Sequence, residues 1–230
     1  MSSKYEIEIK TLLGTRENSE TLKNKIKQNG GTLKTQNKQL NHYFILNNTE
    51  LFKNQFLNHI KEEHRDSFNK ILKKGKNFSV RTRETSSYGD ESSSKVIFVI
   101  KASIDDNTSS NGVSRMEFEH EMEMVLDELD QALLKSGLEY QAKWSREREE
   151  YALDDIIVCI DKNAGYGYLA EFEKMTDDPE KVPEIKLKLF DVMSQYGVEE
   201  LPQDRLERMF AHYNQNWKDY YGTDNVFIIE

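Results

Sequence analysis

The chain has 230 residues, 37% of them hydrophobic and 32% charged, with a formal net charge of −9. That length suffices for one generous domain with a substantial core, and the acidic balance argues against binding of long nucleic acid as the main task. The single cysteine, Cys159, excludes an internal disulfide and fits a reducing compartment.

From the N-terminus, residues 4–11 (KYEIEIKT) alternate as a strand does, with Glu6, Glu8 and Lys10 on one face and Tyr5, Ile7 and Ile9 on the other. A helix is expected in TRENSETLKNKIKQNGG, which ends in a glycine pair. A strand follows at 39–46, and the stretch 50–76, with helical spacing, reads as an insertion before the next strand at 78–85. Further strands are expected at 95–102, 114–124, 142–151, 155–162 and 167–174. The serine- and asparagine-rich links at 86–94 and 105–112 read as surface hairpin loops. VLDELDQALLKSG has helical spacing, and two further helices are expected around 179–221. With no internal repeat and no clean boundary, residues 1–230 read as a single α+β domain, an antiparallel sheet surrounded by helices. No apolar stretch approaches the ~20 residues of a membrane span, and the charged KYEIEIK leaves no room for a signal-peptide core. A cytoplasmic protein with no membrane partner is the expectation.

The strand charges come in like-signed pairs two residues apart. Arg115, Glu117, Glu119, Glu121 and Glu123 share one face of 114–124, and Glu171 and Glu173 share one face of 167–174. Arg81 pairs with Arg83, and Arg146 with Arg148; Lys101 and Asp161 end their strands. Like charges on one face repel unless something neutralises them. Carboxylate pairs invite a divalent cation, and arginine pairs match phosphate oxygens. Closing the eight strands into a barrel turns these faces inward and the apolar faces outward against helices, and eight is about the smallest number that encloses a ligand. A magnesium–polyphosphate guest has the required charges.

In this arrangement the chain resembles the CYTH proteins, or triphosphate tunnel metalloenzymes. The resemblance rests on Glu6-Ile-Glu8-Ile-Lys10, Arg81-Thr-Arg83, Lys101, Arg115-Met-Glu117-Phe-Glu119, Arg146-Glu-Arg148-Glu-Glu-Tyr151, and Asp161 with Gly165, Gly167, Glu171 and Glu173. These motifs run in order through residues 5–174. Two departures stand out: arginine replaces the usual lysine at the start of the fifth motif, unless Lys143 fills that role through a bulge, and the 50–76 insertion is long.

The resemblance implies a closed antiparallel tunnel in which Mg2+ or Mn2+ is held by Glu6, Glu8, Glu171 and Glu173, with Asp161 and Glu119 as further ligand candidates. Lys10, Arg81, Arg83, Lys101, Arg115, Arg146 and Arg148 would clamp a triphosphate, and Glu6, Glu8, Lys10, Glu171 and Glu173 would form the catalytic group. It implies metal-dependent hydrolysis of a triphosphate-containing small molecule. The alternatives are a class IV-type adenylate cyclase making cyclic AMP and pyrophosphate, or a non-catalytic polyphosphate- or nucleotide-binding module; pairing as a homodimer through outer helices is left open. The five histidines lack zinc-site spacing, and Cys159, in an apolar run, reads as a small core residue. GYG at 165–167 leads into a strand and is no dinucleotide fingerprint. Trp217, Tyr220 and Tyr221 read as packing anchors of the last helix.

Overall fold

The structure is a computed structural model that describes residues 5–103 and 115–230, apart from the side chains of residues 90–93 and Arg115. Eight antiparallel strands close into a barrel: β1 (Tyr5–Gly14), β2 (Thr32–Ile45), β3 (Lys76–Ser87), β4 (Asp90–Ser103), β5 (Arg115–Met122), β6 (Glu139–Leu153), β7 (Ile156–Asn163) and β8 (Gly167–Thr176). Around the barrel they follow the order β1-β5-β4-β3-β2-β6-β7-β8. The helices are α1 (Arg16–Gln28), α2 (Thr49–Phe56), α3 (Arg65–Lys74), α4 (Leu126–Lys135), α5 (Val182–Tyr196) and α6 (Gln203–Asn216). Every expected strand and helical stretch holds its element. The 50–76 insertion is α2 and α3 joined by two short 3-10 turns.

Local chemistry sets the helix ends. The Thr15 side chain accepts from the Asn18 N–H at the start of α1, whose last turn carries Lys25 and Lys27. Gly197, at φ +71°, ends α5 in the left-handed conformation.

Two expectations about strand length need correction. β2 begins at Thr32, well before residue 39, because its polar first half pairs with Glu147–Ala152 of β6, a cross-strand match that alternation cannot reveal. The 86–94 link is ladder rather than loop: Ser86 faces Ser94 and Ser87 faces Asp90 around Tyr88 and Gly89, the latter at φ +84°. The 105–112 link lies outside the described residues, as do Lys4 and Ser114.

The apolar cores sit outside the barrel wall, as the strand parity predicts. Ile7 and Ile9 of β1 are fully buried with Val158, Ile160, Ala170 and Phe172 beneath α1 and α5. On the other side, Val80, Phe98, Ile100 and Phe118 are buried against α2, α3 and α4, where Phe52, Phe56 and Phe68 pack on Phe98. Replacing one such aliphatic side chain by alanine costs about 2–5 kcal/mol. The β2–β6 ladder runs from Thr32 opposite Ala152 to Ile45 opposite Glu139. By contrast, β1 and β5 meet, among the described residues, at the pair Glu6–Arg115.

A third apolar group joins α6 to the barrel. Leu206 and Met209 pack with Leu169 and Leu201, while Phe210, Tyr166, Phe227 and Ile229 adjoin them. The C-terminal segment is tied on by the Gly165 N–H donating to the Asn225 carbonyl (3.0 Å) and the Phe227 N–H to the Gly165 carbonyl (2.6 Å). Gly165 has φ +90°, and a Cβ there would lie 2.5 Å from Tyr213 Cδ2; one on Gly167 would lie 2.6 Å from the Gly14 carbonyl oxygen. Both glycines of GYG are therefore required by close approach. No described helix is long and apolar enough to cross a membrane.

Candidate functional site

The inward side chains enclose a cavity of about 560 Å³. Its acidic part comes from β1 and β8. Strand alternation brings Glu6, Glu8 and Glu173 together, with carboxylate oxygens within 4.8 Å of one another. Lys10 donates to Glu8 at 2.6 Å and lies 3.5 Å from Glu171, while Lys101 of β4 pairs with Glu6 and, at 3.2 Å, with Glu117. The cations do not satisfy the acids evenly. Burial tends to raise the Glu8 carboxyl, but Lys10 and Lys101 outweigh it and hold it below the ordinary range. For Glu6, burial and the neighbouring Glu8 and Glu117 win over Lys101, so its carboxyl is raised. Glu173 is the extreme: burial, then Glu171 and Glu6, push it up to about 8. A crowded set of oxygen donors with one carboxylate short of a counter-charge fits a divalent cation such as Mg2+ or Mn2+.

Glu171 lies between the two halves of the site. It accepts from Arg148 as well as facing Lys10, and these cations, with Arg146, hold its carboxyl far below the ordinary range against the effect of burial. It also joins a second group with Glu173 and Cys159. Cys159 is 0% exposed, and burial pushes its thiol up. It alternates with Val158 and Ile160 of the outer core, so it belongs to the lumen face rather than to the apolar core that its sequence context suggested.

The basic part is built on β3 and β6. Arg148 donates to Asp161 through Nε and Nη2, both at 2.7 Å, and Arg146 donates to Asp161 at 2.9 Å and to Gln39 at 2.8 Å. Arg83 donates to Asn41 at 3.1 Å and lies 3.6 Å from Glu119. Burial, then Arg81 and Arg146, push the Arg83 guanidinium down, the signature of cations held close without enough negative charge. Arg81 donates to the Tyr43 hydroxyl at 2.9 Å, and its Nε has no partner. It is the one cation of the cavity, among those whose side chains are described, with no carboxylate within 4.0 Å.

The structure thus brings Glu6, Glu8, Glu173, Glu171, Lys10, Arg81, Arg83, Lys101, Arg146 and Arg148 to one cavity. Asp161 stands apart from both acidic groups: its carboxylate, 1% exposed, is taken up by the two arginines. Glu119, 43% exposed, also lies outside both groups, near Arg83. Arg115 enters through its backbone pairing alone, since its side chain is outside the description. Lys143 faces away from the lumen, over the Tyr140 ring and toward buried Asp130 (3.9 Å), so Arg146 fills the fifth motif's basic position in the lumen. Glu121 and Glu123 are exposed and pair with Lys95 and Lys61.

Sequence reasoning missed further residues that line the cavity: Tyr43, Asn41, Trp144, Tyr166, Phe210 and Asn214. The Trp144 ring stacks on Tyr213 with centroids 3.8 Å apart and meets Phe210 and Tyr166 edge-on. In NHYFIL aromatic and apolar residues occupy both faces, so no charge parity marked Tyr43 as inward. A network outside the barrel was equally silent: Asp130, 0% exposed, accepts from Thr82 and Tyr140 and meets His42, which meets Tyr221.

The CYTH domain family model matches residues 4–205. Among solved structures, the PH1819 protein from Pyrococcus horikoshii OT3 aligns with a TM-score of 0.61 at 18% identity, over 86% of this chain and 94% of that one. A protein from Vibrio parahaemolyticus described as a candidate adenylate cyclase gives 0.59 at 15% identity, over 90% and 98%. HpAC1 from Hippeastrum, described as a candidate adenylyl cyclase with a dominant triphosphatase activity, gives 0.52 at 16% identity, over 90% and 96%. At such identities the likeness is one of fold. No match was found among curated proteins.

Proposed function

Because this chain belongs to the CYTH domain family, we propose that it hydrolyses a triphosphate-containing small molecule with the help of a divalent cation. One observation carries the reading: the Glu6–Glu8–Glu173 carboxylate group and the Arg81, Arg83, Arg146 and Arg148 wall line the same cavity. A charged lumen does nothing for packing and costs stability when empty, so its charges are best accounted for by a guest that needs both signs. The dominant triphosphatase activity described for the Hippeastrum protein supports the same reading.

Phosphoryl transfer needs positioning and charge neutralisation more than covalent help. In this reading Glu6, Glu8, Glu171 and Glu173 hold Mg2+ or Mn2+, and the ion supplies charge neutralisation and a more acidic water. The arginines and Lys101 bind phosphate oxygens, and Lys10 holds Glu8 and Glu171 in place while facing the substrate. Asp161, hydrogen-bonded to both, holds Arg146 and Arg148 in place at the cavity wall, a positioning role, and Glu119 lies close enough to Arg83 to help hold it there.

Purified protein is incubated with Mg2+ or Mn2+ and, separately, inorganic triphosphate and ATP, and the products are resolved chromatographically. Orthophosphate with diphosphate, or ADP from ATP, is the expected result. Cyclic AMP with pyrophosphate would replace hydrolysis by cyclisation. No turnover of either compound would leave a binding role.

A further inference from the structure

We propose that Asp130, outside the barrel, is the positioning residue for Arg81 and Arg83, an inference that rests on the triphosphate reading of the cavity. The two arginine pairs of the wall are held in different ways. Arg146 and Arg148 share the Asp161 carboxylate, which takes up part of their charge as it fixes them. Among the described residues Arg81 has no carboxylate within 4.0 Å, and Arg83 has Glu119 at 3.6 Å, longer than a hydrogen bond. Their hydrogen-bond partners in the cavity are neutral: Arg81 donates to the Tyr43 hydroxyl at 2.9 Å, and Arg83 to Asn41 Oδ1 at 3.1 Å.

These contacts are rungs of one ladder. Where β2 runs beside β3, Tyr43 stands opposite Arg81, His42 opposite Thr82, and Asn41 opposite Arg83. Alternation turns the outer two rungs into the cavity and the middle one away from it. On that outer face the buried Thr82 hydroxyl donates to Asp130 Oδ1 at 2.7 Å, and His42 Nδ1 lies 2.6 Å from Oδ2. β6 joins the same carboxylate. The Tyr140 hydroxyl donates to Oδ2 at 2.7 Å, and Lys143, opposite His42, lies 3.9 Å away. One side chain of α4 thus pins three neighbouring strands at the level of the two arginines.

Packing does not call for an acid there. Asp130 is fully buried in a helix whose Leu129 and Leu133 are fully buried too, and an apolar residue would fill such a place without burying a charge. Burial tends to raise the Asp130 carboxyl, but hydrogen bonds from His42, Thr82 and Tyr140 outweigh it and hold it below the ordinary range. An anion behind the wall gives the arginines a fixed frame and leaves their charge to a guest. An acid on the lumen side would compete with phosphate oxygens for the same guanidinium forks. The Arg83 guanidinium, pushed down by burial and then by Arg81 and Arg146, is short of negative charge in just this sense.

The test is a set of double-mutant cycles read by calorimetry with inorganic triphosphate, a chelator being present so that binding is measured without turnover. Asp130→Asn keeps the shape of the side chain and removes its charge. It should weaken binding about 10-fold in the wild-type background and again about 10-fold beside Arg148→Ala, but only about threefold beside Arg83→Ala, where half of the pair it serves is gone. Circular dichroism checks the fold of each variant. An equal loss in all three backgrounds, or no loss, makes Asp130 a support of the fold alone and overturns the proposal. Should Asp130→Asn not fold, Thr82→Val removes one hydrogen bond from the carboxylate at almost the same shape. Its loss of affinity should then shrink beside Arg83→Ala and persist beside Arg148→Ala, and an equal loss in both, or none, refutes the assignment. Wild type that binds no triphosphate would remove the triphosphate reading and this inference together. Wild type that binds and hydrolyses triphosphate, with Asp130 and Arg83 uncoupled, removes only this inference.

Discussion

Replacing Glu173 by glutamine should make the metal-free protein more stable, although it removes a proposed ligand. In wild type the folded carboxyl sits at about 8, far above an ordinary glutamate, because of burial and the charges of Glu171 and Glu6. The folded value is raised, so the favourable contribution is fully present below about pH 4.3, the unfolded value, and is lost as pH rises through 8. A rise of this size sets an upper bound of about 5 kcal/mol on the disfavoured charge. Water reaching the partly exposed group relaxes it, and a gain of about 2 kcal/mol for Glu173→Gln above pH 8 is the working figure. Urea unfolding of both proteins with a chelator present, at pH 9 and at pH 4.5, measures it. The variant should lead clearly at the higher pH and match wild type at the lower. Adding Mg2+ should then stabilise wild type, by about 2.7 kcal/mol at a hundredfold excess over Kd, and leave the variant behind. A variant no more stable than wild type at pH 9 would refute the idea that Glu173 is a carboxylate waiting for a counter-charge.

Glu171→Gln should act in the opposite sense, because Glu171 already has Arg148 and Lys10: loss of about 3 kcal/mol near neutral pH, shrinking at low pH as wild type protonates, is expected by urea unfolding. An unchanged midpoint would remove that pairing from the argument. Arg83→Ala should weaken triphosphate binding more than monophosphate binding by calorimetry, since fewer phosphates of the short ligand reach that wall; equal losses would place Arg83 outside the clamp. Gly165→Ala should destabilise the fold by more than about 1 kcal/mol through both the positive φ and the approach to Tyr213, seen as a lower Tm, and a wild-type Tm would contradict the close packing described.

The lumen charges were legible in the sequence because strands have period two. A run such as Glu6-Ile-Glu8-Ile-Lys10 announces both its charged face and its buried one, and Ile7 and Ile9 are indeed in the outer core. What alternation could not show were partners. Asp161 has the residue type of a metal ligand, yet whether it meets a cation or two arginines depends on the register that sets Arg148 opposite it. Tyr43 and Trp144 were hidden for a different reason: an aromatic side chain suits either face of a barrel wall, so its direction follows from pairing and not from polarity. The early start of β2 was invisible because strand pairing, not apolar spacing, orders residues 32–38.

The two main apolar cores divide the barrel more sharply than its unbroken circle of strands suggests. One core rests on β2 to β5, the other on β6 to β8 and β1. The long β2–β6 ladder joins these halves on one side, and among the described residues the Glu6–Arg115 backbone pair, with the Lys101–Glu6 ion pair beside it, joins them on the other. Glu6, proposed above as a metal ligand, is also the carboxylate that ties β1 to Lys101 of β4, so a cation taken up there would compete with the bond that joins the two halves.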